Sequence, residues 1–450
     1  MFFDLPKNSG GLFYLFFHKL FEIIKKCVII KTQAKKLPTF WRNGEKMSKT
    51  KEFIINNWDK CIHYNPKDDG TLIGLPYPYI VPSVNDIFKE MYYWDTYFTC
   101  LGLVESGRVD IVKNAVDNMF YLVNKYGFMP NGNRTYYTPQ SQPPYLSMMA
   151  RLVYDHYKDP VWLKTAYEML EKEYFEYWMT KRMTPTGLNQ FGCGWDVGTS
   201  AYECQIGAYE KRTQIDTSAY PVEQIVKNYG ADAESGWDCN PRASLWQHNC
   251  VYVDLNSNLY LYETNFAYFS EILGNGKEKE WFERAEKRKA LMKKYLWDGK
   301  CFRDYNFETG EHSSVFSMAS FSPLWAGLAT QEEAESTIAM LPLIEFDHGV
   351  AACAPHNVEG RFQWDYPNCW APLLCIGVMA CKNYGFDTDA KRLAKKYVDA
   401  IDKNFEKSGN LWEKYNAVDG TLAVKDEYNM PTMLGWTAGV YLYSHKILSE

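Results

Sequence analysis

The connections between helical segments constrain this chain most. Apolar residues recur at helical spacing near 51–61, 91–105, 110–126, 144–158, 161–180, 253–273, 278–297, 317–328, 331–341, 369–385, 389–408 and 435–450. In 253–273, Leu255, Leu259, Tyr262, Phe266 and Phe269 share one face, and Asp254 sits in the first turn, where the helix dipole favours an acid. The links alternate in length. Short ones are Ser106 to Val109, Asp159-Pro160, Gly274 to Lys277, Ala329-Thr330 and Phe386 to Thr388; long ones are 62–90, 127–143, 181–252, 298–316, 342–368 and 409–434. Short links join antiparallel neighbours. Five sequential hairpins follow, and the first segment is left to pair with the last. Alternation puts every long link at one end. The expectation is an all-α fold, an (α/α)6 toroid of twelve helices with long catalytic loops on one face.

Chemistry-bearing residues concentrate in or beside those long links. The third closes on Ala233-Glu234-Ser235-Gly236-Trp237-Asp238-Cys239-Asn240-Pro241-Arg242. Asp238 follows an aromatic and a glycine that lets the backbone bend. A neighbouring Trp can shield a carboxyl from water and raise its pKa, as a general acid near neutral pH requires. The plainer reading is a helix N-cap. The first link ends in Phe88 through Tyr97, and the second holds Pro130-Asn131-Gly132-Asn133-Arg134 and Gln140-Ser141-Gln142-Pro143-Pro144. The fifth ends in Gln363-Trp364-Asp365-Tyr366-Pro367-Asn368-Cys369-Trp370, and the sixth holds Trp412-Glu413-Lys414-Tyr415-Asn416 and Asp426-Glu427-Tyr428. Polar groups from distant segments thus meet on one rim, as in a site built on loops over a rigid scaffold. Trp-Asp pairs start at Trp94, Trp195, Trp237, Trp297 and Trp364; their uneven spacing and helical surroundings exclude a propeller.

Composition narrows the function. Aromatics make up 16% of the chain, enough to fill a large core and still line a sugar cleft. A net charge of −6 argues against a nucleic-acid partner. The 12 cysteines form no Cys-x-x-Cys pair and no metal-like cluster, and Cys369, Cys375 and Cys381 lie in one apolar stretch as small hydrophobes. They predict a reduced, cytoplasmic protein with no metal and no cofactor. Residues 1–46 carry nine Lys/Arg against three Asp/Glu, and their apolar run is too short to span a membrane. They read as a basic extension, disordered or lying upstream of a start at Met47; a basic amphipathic membrane-surface segment is the other reading. Residues 47–450 read as a single domain, the toroid. Oligomeric state is left open.

With these motifs in hand, the chain resembles the trehalase family of glycoside hydrolases from about residue 75 onward. Phe88-x-Glu90-x-Tyr92-x-Trp94-Asp95-x-Tyr97 and Gln363-Trp364-Asp365-Tyr366-Pro367-Asn368 look like its two signatures. Pro130-Asn131-Gly132, Ser141-Gln142-Pro143-Pro144, Glu234-Ser235-Gly236-Trp237-Asp238, Glu413-Lys414-Tyr415 and Gly435-Trp436-Thr437 follow in the family's order. The resemblance implies the same toroid and hydrolysis of α,α-trehalose with inversion. It implies Asp238 as general acid and Glu413 as general base, with roughly 6.5–9.5 Å between the carboxyls to admit a water. It implies sugar contacts at Phe88, Trp94, Asp95, Asn131, Gln140, Gln142, Gly236, Trp364 and Glu427; Asp365 is either a site acid or a structural one.

Departures bear on the substrate. Ile87 and Gln140 stand where the family pattern has arginines, and no Arg-Pro-Glu element is found between 181 and 232. An arginine fork offers fixed donors that Ile cannot replace. Trehalose leads as substrate. The alternatives are a related α-glucosidase acting on glucosylglycerate or an oligosaccharide end, and a non-hydrolytic sugar-binding or epimerase-type toroid.

Overall fold

The computed structural model describes residues 47–84, 88–195, 200–425 and 429–450. The expected basic extension over 1–46, together with Ile87 and Glu427, lies outside these described residues. The fold is mostly helical. In chain order the helices are α1 (Lys49–Asn57), α2 (Tyr93–Glu105), α3 (Val109–Tyr126), α4 (Leu146–Tyr157), α5 (Pro160–Glu173), α6 (Ser200–Thr213), α7 (Val222–Glu234), α8 (Val253–Leu273), α9 (Glu278–Leu296), α10 (Ser322–Trp325), α11 (Gln331–Ile338), α12 (Ala371–Asn383), α13 (Asp387–Ser408) and α14 (Gly435–Ser449).

Local chemistry sets these boundaries. In α13, Asp387 and Asp389 occupy the first turn, Leu393, Tyr397 and Ile401 form the buried stripe, and left-handed Gly409 ends the helix. Thr330 and Glu333 close a capping box at α11. Four of the five short links join helices that pack on each other: α2 on α3, α4 on α5, α8 on α9 and α12 on α13.

Three expectations need correction. The last helix packs chiefly against α2 rather than α1. The crossing is close because both helices carry glycine there. A Cβ on Gly439 would fall 2.0 Å from the Phe98 carbonyl oxygen, and one on Gly102 2.5 Å from the Gly439 Cα. Helix α1 instead ties itself on through Thr50, which donates to Asp402 of α13 at 2.6 Å. Second, the link 181–252, expected to be free of helix, contains α6 and α7. Helix α7 escapes an apolar pattern because Asn228, Asp232 and Glu234 on its buried side are polar. Third, 317–328 forms a 3-10 turn (Met318–Phe321) and the single turn α10 rather than a full helix.

A short ladder joins the fifth and sixth long links. Asn368–Trp370 pairs antiparallel with Lys414–Asn416, placing Trp370 opposite Lys414. Cys375 and Cys381 are buried in α12 and Cys369 in this ladder, as expected of small hydrophobes.

Candidate active site

A cavity of about 920 Å³ opens among the ends of the long links. Phe88, Trp94, Asp95, Asn131, Gln140, Gln142, Gly236, Asp238, Trp364 and Glu413 all line it. Every sequence-predicted site residue that is described therefore reaches one space. The first, second, third, fifth and sixth links contribute; the fourth supplies a support, Asp304, described below.

Asp238 lies in the loop that leaves α7, so it caps no helix: α8 starts fifteen residues later with Tyr252 at its cap. Two buried pins shape this loop. Asp232 accepts from the backbone N–H of Cys239 (2.6 Å) and from both nitrogens of Asn240 (3.3 and 2.6 Å). Arg242 is fully buried and forks onto Asp304 (2.7 and 2.8 Å) and Asp254 (2.7 and 3.1 Å). It thereby fastens the loop to the start of α8. Gly236 has φ +72°, and a Cβ there would come within 2.8 Å of the Trp94 ring. Trp237 is turned into the core, stacked on Trp364 at 5.7 Å and lying under the Arg242 guanidinium at 4.4 Å. It supports the loop rather than lining the cavity.

The Asp238 side chain lines the cavity and keeps 38% of its surface exposed. Removal from bulk water pushes it up to about 6, the Arg212 guanidinium opposes this, and the Glu413 charge adds to it. Burial pushes Asp95 up to about 8, with the charges of Glu413 and Asp238 adding to the rise. Asp95 is thus a carboxylic acid that can donate a hydrogen bond near pH 7.

Glu413 sits just ahead of the ladder and is 2% exposed. Its Oε2 accepts from the Lys414 ammonium at 2.7 Å. Lys414 is itself fully buried and lies 4.6 Å over the Trp370 ring. Glu413 and Lys414 thus form a buried ion pair between sequence neighbours. The Trp436 indole donates to the Glu413 carbonyl (3.1 Å) and Thr437 to the Trp412 carbonyl (2.8 Å), so the backbone is held from α14. Trp364 stacks flat on Trp370 at 3.8 Å, with Trp94 5.4 Å away, giving the cavity a wall of indoles.

Other residues sort clearly. The Trp94 backbone N–H donates to the Gln142 side-chain oxygen at 3.4 Å, at the start of α2. Gln140 is 5% exposed, and its side-chain oxygen has no hydrogen-bond partner among the described residues, so a donor from a bound hydroxyl would satisfy it. Asp365 accepts from His356 (2.9 Å) and Lys425 (2.8 Å) and lies outside the cavity; it is a structural acid. Sequence reasoning missed Arg212, Tyr137, Trp195, Tyr229, Trp370 and Trp436, which also line the space. Of these only Trp370 and Trp436 sat in quoted motifs; Arg212 was hidden in the link read as loop. Among the described residues no group of three or more His, Cys, Asp or Glu could hold a metal ion, and no helix is long and apolar enough to cross a membrane.

This geometry has relatives among known proteins. The family model described as Trehalase matches residues 19–449. Curated proteins named periplasmic trehalase, from Xanthomonas campestris pv. campestris and Xanthomonas axonopodis pv. citri, are each 31% identical, covering 87% of this chain and 72% of their own length. Among solved structures, neutral trehalase Nth1 from Saccharomyces cerevisiae superposes with a TM-score of 0.71 at 28% identity, over 89% of this chain and 80% of its own. A GH63 mannosylglycerate hydrolase from Thermus thermophilus shares the fold, with a TM-score of 0.59 at 16% identity over 88% and 99%. The names of the curated relatives overturn the cytoplasmic expectation and point to the periplasm. The cysteine argument fails for a physical reason. The ten cysteines whose side chains are described are free and all but Cys193 are buried, with burial pushing Cys301 up to about 11 and Cys61 to about 12. Thiols sequestered singly in a core do not pair whatever the redox compartment.

Proposed function

The chain belongs to the trehalase family and is a glycoside hydrolase, and from that premise we propose that it cleaves α,α-trehalose with inversion, using Asp238 as general acid and Glu413 as general base. Asp238 gives its proton to the bridging oxygen as the glycosidic bond breaks. Glu413 takes a proton from a water whose oxygen bonds to the anomeric carbon on the opposite face. One trehalose and one water become two glucoses, and the proton on Glu413 returns to Asp238 through solvent. The observation that carries this reading is the pair itself. Two carboxyls from distant segments line one cavity in unlike surroundings: one is raised toward its protonated form, and the other is bonded to an ammonium.

In this reading the indole wall stacks on the reacting sugar. Asp95, Asn131, Gln140 and Gln142 bond its hydroxyls, Phe88 and Gly236 shape the rim, and Glu427 joins them. The same reading takes residues 47–450 as one helical toroid domain, with the last helix closing on α2 instead of α1. The unpartnered acceptor on Gln140, where the family pattern has a donor, favours one second reading: the same mechanism on a different small α-glucoside. Glucose release from trehalose, maltose, isomaltose, kojibiose, nigerose and glucosylglycerate tests both. Trehalose cleavage that Asp238→Asn and Glu413→Gln abolish is the expected result. Cleavage of another glucoside alone moves the substrate and keeps the mechanism; no release from any of them rejects the hydrolase reading for these sugars.

A further inference from the structure

Helix α6 places one cation where the proposed acid works. Among the described residues Arg212 is the only basic side chain lining the cavity. Its Nη1 lies 4.0 Å from Asp238 Oδ2: too far for a hydrogen bond, close enough for a strong charge interaction. The helix is fixed there by a small apolar cluster of its own. Tyr209 packs with Ile225, Tyr229 and Leu245, and the Arg212 guanidinium lies 5.8 Å over the Tyr229 ring. The end of α6 is tied down further by Arg361 N–H donating to the Thr213 carbonyl at 2.6 Å.

Resting on the proposed roles above, we infer that Arg212 is a positioning residue that acts through Asp238: its charge stabilises the carboxylate that forms as Asp238 loses its proton to the leaving oxygen. The charge balance of the step supports this. Before transfer Asp238 is neutral and Glu413 carries the charge; as Glu413 takes the water's proton and Asp238 gives up its own, the negative charge passes to Asp238, beside Arg212. The groups facing Asp238 are Arg212 from α6, Glu413 ahead of the ladder, Asp95 from α2 and Tyr137 from the second link. Asp95 and Tyr137 are neutral near pH 7, with Tyr137 pushed up to about 12 chiefly by burial. Glu413 opposes the new charge only until it has taken the water's proton. Of these facing groups only Arg212 attracts it. The same cation also holds the acid's pKa below where burial alone would put it, so one residue sets both the strength of the acid and the stability of its conjugate base.

The test uses the full chain, trehalose and α-glucosyl fluoride as substrates, and the variants Arg212→Met, Arg212→Lys and Asp238→Asn. Fluoride departs with little need of a proton donor. Arg212→Met is expected to lower kcat on trehalose about 10- to 100-fold and to keep α-glucosyl fluoride hydrolysis within about threefold of the parent. It is also expected to move the alkaline limb of kcat/KM to higher pH, because the acid loses its opposing cation. Arg212→Lys restores most of both. A raised KM with kcat and the alkaline limb unmoved overturns the inference and leaves Arg212 a sugar contact. Equal loss on trehalose and fluoride overturns it in favour of packing. Undiminished trehalose cleavage by Asp238→Asn would reject the acid assignment itself, a failure distinct from that of Arg212.

Discussion

The loop around Asp238 and the ladder around Glu413 present the same functional group in opposite ways. The Asp238 carboxyl is open to the cavity; its surroundings push it up to about 6, and the Arg212 guanidinium stands off at 4.0 Å. The Glu413 carboxyl is buried to 2% exposure with an ammonium bonded to one oxygen at 2.7 Å. The proposed acid is held by pins set behind it: Asp232 grips Cys239 and Asn240, Arg242 ties the loop to Asp304, and none of these pins lines the cavity. The proposed base, Glu413, is held by a partner bonded to its own carboxylate. A proton donor needs a carboxyl that ionises reluctantly, and a base needs one whose charge is compensated; one cavity supplies both by changing the neighbours, not the residue type.

The strongest way to separate the two arms is chemical. Glu413→Gln should cost about 10³- to 10⁴-fold in kcat on both trehalose and α-glucosyl fluoride, since both need an activated water. Asp238→Asn should cost a similar factor on trehalose and spare the fluoride. Equal losses from both variants on both substrates would mean that the arms do not divide the work as described.

Next in size is the removal of Lys414. Lys414→Met leaves Glu413 buried without its cation and should cost about 3–5 kcal/mol of stability, read as a lowered urea midpoint. Arg212→Met, beside the more open acid, should move that midpoint little. A Lys414→Met chain as stable as the parent would show that the base does not need its partner. Smaller again, Gly236→Ala forces a side chain into a left-handed backbone and against Trp94, at a cost of about 1–3 kcal/mol.

The pH response follows from Asp238. Its pKa is raised, so it carries its proton below about 6 and loses it above; kcat/KM on trehalose should hold below that pH and fall as pH rises through it. The fluoride rate should lack this alkaline limb. The smallest effect expected is that of Asp95→Asn. Asp95 is pushed up to about 8 by burial and the neighbouring charges, so a neutral amide resembles its working form, and KM near pH 6 should change by less than about threefold. Asp95→Ala, which removes the hydrogen bond, should raise KM more than Asp95→Asn does.

How much of this was legible in the sequence depended on what each element buries. Helices with an apolar stripe, such as α8 and α13, could be read from periodicity alone, and so could their short links. Helix α7 could not, because its buried side carries Asn228 and Asp232, which hold Gln247 and the acid loop instead of filling a core. With α7 unread, α6 was unread too, and with it Arg212. The cavity-lining residues inside quoted motifs were legible because the family resemblance carries residue type as well as place. Closure of the last helix on α2 was missed because it turns on a meeting of Gly102 and Gly439, and a glycine in an apolar helix looks like any small residue until its partner is known. The cysteines misled for the opposite reason: burial, not the compartment, keeps them free.

The measurement that bears most directly on the division of labour is proton NMR of the first turnovers of α-glucosyl fluoride at pH 5.5, before mutarotation scrambles the product. If Glu413 delivers a water to the face opposite the one Asp238 serves, β-glucose appears first and α-glucose only later. If α-glucose appears first, the water does not come from that side, and the two-armed account is wrong.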